Sequence, residues 1–165
     1  MVQVETESGI VAGTPDARQS VWSFRGIPYA AAPMGEDRWR APRPATPWEG
    51  VLHADRYGPA PMQPLHHRDQ IFFHAAQIPG LADPGCSENC LTLNVWTAKP
   101  QRDARLPVML WFYGGGNRTG SGSQGAFDGE NIARKGVVLV TFNYRLGSLG
   151  FLAHPELSAE SPSGC

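Results

Sequence analysis

The run PVMLWFYGGG, Pro107 to Gly116, limits the fold more than any other stretch of the chain. Six apolar or aromatic residues, Val108 to Tyr113, lie between a proline and a glycine triplet, which predicts a short buried strand. Gly114, Gly115 and Gly116 then leave the backbone without side chains and free to take positive φ, so its N–H groups can approach a ligand closely. A loop of that kind at a strand end can hold negative charge with main-chain donors alone. The charge can be the oxyanion of acyl transfer or a phosphate, and a bare tight turn uses the same residues.

The elements after the loop narrow the fold class. Phe127 to Lys135 reads as a helix, with Asp128 near its start and Gly136 as its C′ residue. Val137 to Phe142, VVLVTF, is β-branched and apolar, the pattern of a strand buried on both faces. Strand, loop, helix and strand in that order make a βαβ crossover with two parallel strands. The chain is therefore α/β. Upstream, VQVETESGIVA alternates around Ser8-Gly9 as a hairpin, and Val21 to Tyr29 reads as a strand. Leu91 to Trp96 alternates with Leu91, Leu93 and Val95 on one face. The mixed sheet is thus expected to open with antiparallel strands. Between Pro33 and Pro64, proline and glycine are too dense for regular structure, and Trp39 and Trp48 are expected to pin that segment to the core. Residues 65–78 fit one short helix. No strand follows Val137–Phe142 to cover its far side, so an apolar edge is expected there, as in a truncated piece of a larger domain.

Composition excludes several classes. With 165 residues, 41% apolar and 18% charged, the chain suits one globular domain with a core. A net charge of −1 provides no field for nucleic acid or an acidic membrane. The opening MVQVETESG lacks the basic and apolar regions of a secretory signal, and no apolar run reaches the ~18 residues of a membrane span. Cytoplasmic location is the default. Cys86, Cys90 and Cys165 read as free thiols. A C-x3-C spacing without a nearby histidine is a poor metal site.

Two glycine motifs make phosphate the weaker reading, with a nucleotide-binding fragment at Gly120 to Gly125 kept as a third possibility. A P-loop needs a lysine after its second glycine, and Ser121-Gly122 follow Gly120. Gly120, Gly122 and Gly125 satisfy G-x-G-x-x-G, but too far past the strand, and the next strand ends in Asn143 rather than an acid.

The remaining motifs resemble one family in order. They are FRGIPYA at Phe24 to Ala30, P-x-G-x-x-R-W at Pro33 to Trp39 and PWEGV at Pro47 to Val51. SENCLTLNVW at Ser87 to Trp96, the PVMLWFYGGG run, and NYRLGSLGFL at Asn143 to Leu152 complete the set. Together they are similar to the N-terminal portion of type B carboxylesterases, the cholinesterase and bacterial p-nitrobenzyl esterase group of α/β-hydrolases. The resemblance implies a carboxylic-ester hydrolase working through an acyl-serine, with a small-molecule ester as substrate and no metal or organic cofactor. It maps the oxyanion-hole N–H groups onto Gly115 and Gly116, with Gly114 and Tyr113 as support, Tyr113 packing the strand end. It makes Arg38 and Glu88 a structural salt bridge, and lets Asn143, Tyr144 and Arg145 tie the strand end to its loop. The family's bridging cysteine is absent from Gly58 to Gln63, so Cys90 has no partner there. Where the family has an aromatic residue after the glycines, this chain has Asn117-Arg118. His66, His67 and His74 fall in a divergent segment and read as solvated.

The resemblance ends at Ala159 to Pro162, before the family's triad. Ser121, Ser123 and Ser148 each lack the flanking glycines of G-x-S-x-G, and neither His154 nor Glu156 has grounds for a catalytic role. Residues 1–165 are therefore expected to be an inactive N-terminal part on their own. The alternative is a cholinesterase-like binding or adhesion module.

Overall fold

A computed structural model describes residues 1–64 and 85–161. The helix expected over 65–78, with His66, His67 and His74, and Cys165 lie outside the described residues.

Alternation around Ser8-Gly9 gives the hairpin β1 (Val2–Thr6) and β2 (Gly9–Pro15), registered Val4 to Val11. Strand β3 (Trp22–Pro28) meets β2 only at Thr14–Ser23 and Pro15–Trp22, then runs antiparallel to β7 (Thr92–Thr97). A bulge between Phe24 and Ile27 turns Gly26 to φ +73°, and its N–H reaches Asn94 Oδ1 at 3.0 Å. A side chain there would strike the Arg56 carbonyl oxygen, so glycine is required. The segment 33–64 is not wholly irregular. Val51–His53 (β4) lies parallel to β2, and Ala60–Pro61 (β5) pairs with Cys86–Ser87 (β6).

Strands β8 (Val108–Trp111) and β9 (Val138–Phe142) are parallel, as a strand–helix–strand crossover predicts. Their places in the sheet differ from the sequence expectation. The order is β1-β2-β3-β7-β9-β8, so β9 is hydrogen-bonded on both sides and β8 is the edge. All four residues of β8 are exposed, Leu110 at 57%, and Phe112 beyond it at 68%. The apolar run thus marks a strand whose outer edge lacks a neighbour among the described residues. Nor is β9 buried on both faces: Leu139 and Thr141 are buried, while Val138, Val140 and Phe142 are half-buried.

Strand β7 also reverses its expected sides. Thr92, Asn94 and Trp96 are buried, and Leu93 and Val95 only half-buried. The polar pair tolerates burial because each side chain is hydrogen-bonded, Asn94 to Gly26 and to Thr141 Oγ1. Trp96 joins Val21, Ala133 and Leu139 in one core cluster; Val11, Phe24 and Ala54 form another. Trp48 packs on the second cluster and donates to the Ile10 carbonyl. Trp39 does not reach the core: it is 43% exposed, with Nε1 on the Ser148 carbonyl.

The crossover helix is shorter than Phe127–Lys135. A 3-10 turn, Gly125–Phe127, precedes α1 (Glu130–Ala133), whose first N–H is taken by Asp128 Oδ1 at 3.0 Å. Gly136, at φ +82°, closes it with its N–H on the Ala133 carbonyl. Two more short helices follow, α2 (Gly147–Phe151) and α3 (Pro155–Glu160), and His154 Nδ1 accepts the Glu156 N–H as the cap of α3.

Candidate oxyanion site

The site begins where β8 ends. Tyr113 is buried and stacks on Tyr144 at 4.3 Å between ring centroids. Tyr144 donates its hydroxyl to the Tyr113 carbonyl at 2.5 Å, and the Tyr113 hydroxyl lies 3.4 Å from the Tyr144 carbonyl. Burial pushes the Tyr113 phenol far above the usual tyrosine range, and Tyr29, on the Asn143 carbonyl, up to about 12. Both therefore stay neutral near pH 7 and act as packed donors rather than proton carriers.

The backbone then turns through positive φ at Gly115 (+141°), Gly116 (+62°) and Asn117 (+57°). Asparagine is among the few side chains at ease in that last conformation. A Cβ at Gly115 would collide with the Thr119 carbonyl oxygen. The Gly115 carbonyl accepts N–H groups from Arg118 (3.1 Å) and Thr119 (3.2 Å), closing a tight turn. Asn117 ties the turn to α2 by accepting the Gly147 N–H at 2.7 Å. Gly115 and Gly116 are exposed, and among the described residues their own N–H groups meet no acceptor. Two adjacent main-chain donors thus stand at the strand end without an acceptor among the described residues.

The returning leg is anchored differently. The Gly120 N–H donates to Gln63 Oε1 at 2.8 Å, and Gln63 Nε2 donates to the Gly120 carbonyl at 2.8 Å. The Gly122 N–H and Ser121 Oγ both donate to Asn143 Oδ1, at 2.9 and 3.1 Å, while Asn143 Nδ2 reaches the Pro59 carbonyl. Thr141 Oγ1 donates to the Gly122 carbonyl at 2.7 Å. The G-x-G-x-x-G donors at Gly120 and Gly122 are therefore already used inside the protein, which removes the physical basis for a phosphate cradle there. Ser121 and Ser123 are buried with their Oγ atoms 2.7 Å apart, positions of structural serines.

Arg38 and Glu88 form a two-pronged pair, Nε to Oε2 at 2.7 Å and Nη2 to Oε1 at 2.6 Å. Each stabilises the other's charged form, lowering the Glu88 carboxyl and raising Arg38. Arg145 donates to the Arg40 carbonyl at 2.9 Å and so holds the same segment. Cys86 and Cys90 are free, and burial pushes the Cys90 thiol up to about 11. Among the described residues no group of His, Cys, Asp and Glu could hold a metal ion, and no helix is long and apolar enough to cross a membrane. Sequence reasoning missed Gln63 and Asn94. The available signal for Asn94 was a polar residue on one face of an alternating strand; Gln63 stood in a stretch notable only for its missing cysteine.

A profile of the carboxylesterase family matches residues 1–162. The chain belongs to that family. Fumonisin B1 esterase of Sphingopyxis macrogoltabida is 46% identical over 159 residues, covering 96% of this chain and 27% of that protein. Para-nitrobenzyl esterase of Bacillus subtilis is 41% identical over 150 residues, 90% of this chain and 28% of its own length. Among solved structures, a PNB esterase superposes with a TM-score of 0.78 at 38% identity, covering 93% of this chain and 30% of the other. A carboxylesterase of Geobacillus stearothermophilus gives 0.75 at 38%, covering 91% and 27%. This carboxylesterase-family chain thus spans little more than a quarter of the length of these relatives, and its partial sheet is an α/β-hydrolase sheet.

Proposed function

We propose that the protein carrying this segment hydrolyses small carboxylic esters through an acyl-serine intermediate, and that Gly115 and Gly116 supply oxyanion N–H groups. The observation that carries this reading is the pair of exposed N–H groups at the end of β8 that meet no acceptor among the described residues, on a backbone that only glycine fits at position 115. Attack on an ester carbonyl moves charge onto its oxygen, and preorganised main-chain donors stabilise that charge without reorganising. Tyr113, with Gly114, supports the loop from beneath, and the Arg38–Glu88 pair serves the fold. No serine of the 165 residues has the flanking glycines of a G-x-S-x-G turn, so residues 1–165 are read as the N-terminal portion of the catalytic domain. The nucleophile, its base and its acid are assigned to other sequence. The chemistry needs no metal or organic cofactor, and free Cys86 and Cys90 suit a cytoplasmic setting.

The test is p-nitrophenyl butyrate turnover by the purified protein that carries this segment. An acyl-enzyme burst is expected, and Gly115→Ala should lower kcat about a hundredfold or more with little change in KM. Full turnover in Gly115→Ala, or ester binding without turnover in the unmodified protein, would contradict the reading.

A further inference from the structure

We infer that Gln63 is a positioning residue for the oxyanion donors, acting through the peptide group between Thr119 and Gly120. The inference rests on the function proposed above. A trans peptide is planar, with its C=O and N–H pointing in opposite directions. The N–H of this peptide is held by Gln63 Oε1 at 2.8 Å, and its carbonyl oxygen lies against the Cα of Gly115, where an added Cβ would collide with it. The orientation that Gln63 imposes on the N–H therefore sets the surface on which Gly115 rests. Gln63 Nε2 holds the next peptide as well, through the Gly120 carbonyl at 2.8 Å, so one side-chain amide fixes both planes flanking Gly120. Fixing is needed because Gly120 sits at φ +120°, against the Tyr113 ring, in a backbone region that glycine can leave freely.

The anchor is itself hydrogen-bonded to its surroundings. Gln63 Nε2 also donates to the Pro61 carbonyl at 3.0 Å, and Pro61 belongs to β5. Two residues earlier, Pro59 receives Asn143 Nδ2, whose partner oxygen holds Gly122. Segment 59–63 is thus strapped to the returning leg at two points by two amide side chains. Asn143 fixes the part of the loop beside the sheet; Gln63 fixes the part that touches Gly115.

The experiment compares the protein carrying this segment with its Gln63→Met and Gln63→Glu variants. Met keeps the shape and loses all three side-chain hydrogen bonds; Glu keeps an acceptor for the Gly120 N–H. For Gln63→Met, kcat for p-nitrophenyl butyrate should fall about tenfold to a hundredfold while KM stays within about twofold. Affinity for a trifluoromethyl ketone, which forms the oxyanion, should fall by the same factor as kcat, and Gln63→Glu should recover part of both. A Gln63→Met protein that only melts earlier, with kcat and ketone affinity unchanged, overturns the inference. If the unmodified protein has no esterase turnover, the function proposed above fails and this inference is read by glycine amide resonances. In ¹⁵N-glycine-labelled protein, the Gly115 and Gly116 signals should move in Gln63→Met, and unmoved signals overturn the inference whatever the activity.

Discussion

At the scale of single residues, Asp16 shows how one carboxylate can knit distant segments. Its oxygens accept the Ser20 N–H (2.7 Å), the Ser20 hydroxyl (3.0 Å), the Val21 N–H (3.1 Å) and Arg134 Nη2 (2.8 Å). Arg134 also holds Glu130 at 2.8 Å, so the turn after β2 is tied to α1. The hydrogen bond from Arg134 does most to hold the Asp16 carboxyl well below the usual range, with the two backbone N–H groups adding to it. A lowered folded value means that the unfolded chain binds the extra proton, so this stabilisation rises with pH. It is complete above the ordinary aspartate value near 3.8 and is lost as pH falls below it toward the folded value. Urea midpoints of the protein and of Asp16→Asn should therefore differ at pH 7 and converge as pH falls through that window. A gap that persists unchanged to pH 2 would show that the carboxylate charge is not what stabilises.

Among the elements, the start of α1 packs closely on β7. Trp96 is fully buried between Val21, Ala133 and Leu139, and a Cβ at Gly129 would lie 2.7 Å from its indole ring. Gly129→Ala overpacks this contact and should cost about 1–3 kcal/mol. Trp96→Phe removes ring atoms together with an indole N–H that has no acceptor among the described residues. The double variant should therefore lose less stability than the two single losses added together, as a urea double-mutant cycle would record. Additive losses would mean that the indole moves aside at no cost.

The same elements show what local pattern carries. Alternation around Ser8-Gly9 and the strand–glycine–helix–strand order specify the hairpin and the parallel pair, because period and connection length are local properties. Strand order is not local. Val108 to Tyr113 has a core composition, yet β8 is exposed because burial depends on a neighbour that the run itself does not encode. The sides of β7 were misread because Asn94 and Thr92 are buried by virtue of bonds to Gly26, Thr141 and Cys90, partners that alternation does not reveal. In the candidate site the glycine triplet was legible as a backbone donor loop. Gln63 was not, since its role depends on a contact across 57 positions of sequence.

For the whole molecule, the outer edge of β8 has no strand partner among the described residues. Val108, Met109, Leu110 and Trp111 are all more than 40% exposed, beside open hydrogen-bonding groups, which is an invitation to edge-to-edge pairing. The 165-residue chain, purified alone, should associate as its concentration rises. Leu110→Lys should suppress that association in sedimentation velocity, because a charged edge resists pairing. A monomer at every concentration would show the edge to be silent.

The order of the sheet also has a consequence for synthesis. Among the described strands, β8 pairs only with β9, which is made later and inserts between β8 and a strand already formed. On the ribosome, β1, β2, β3 and β7 can assemble as they emerge, but among the described strands β8 has no partner until β9 follows. The glycine turn at its end therefore has no fixed base until Phe142 has left the exit tunnel. During that interval the nascent chain presents an apolar strand to whatever chaperone is nearest.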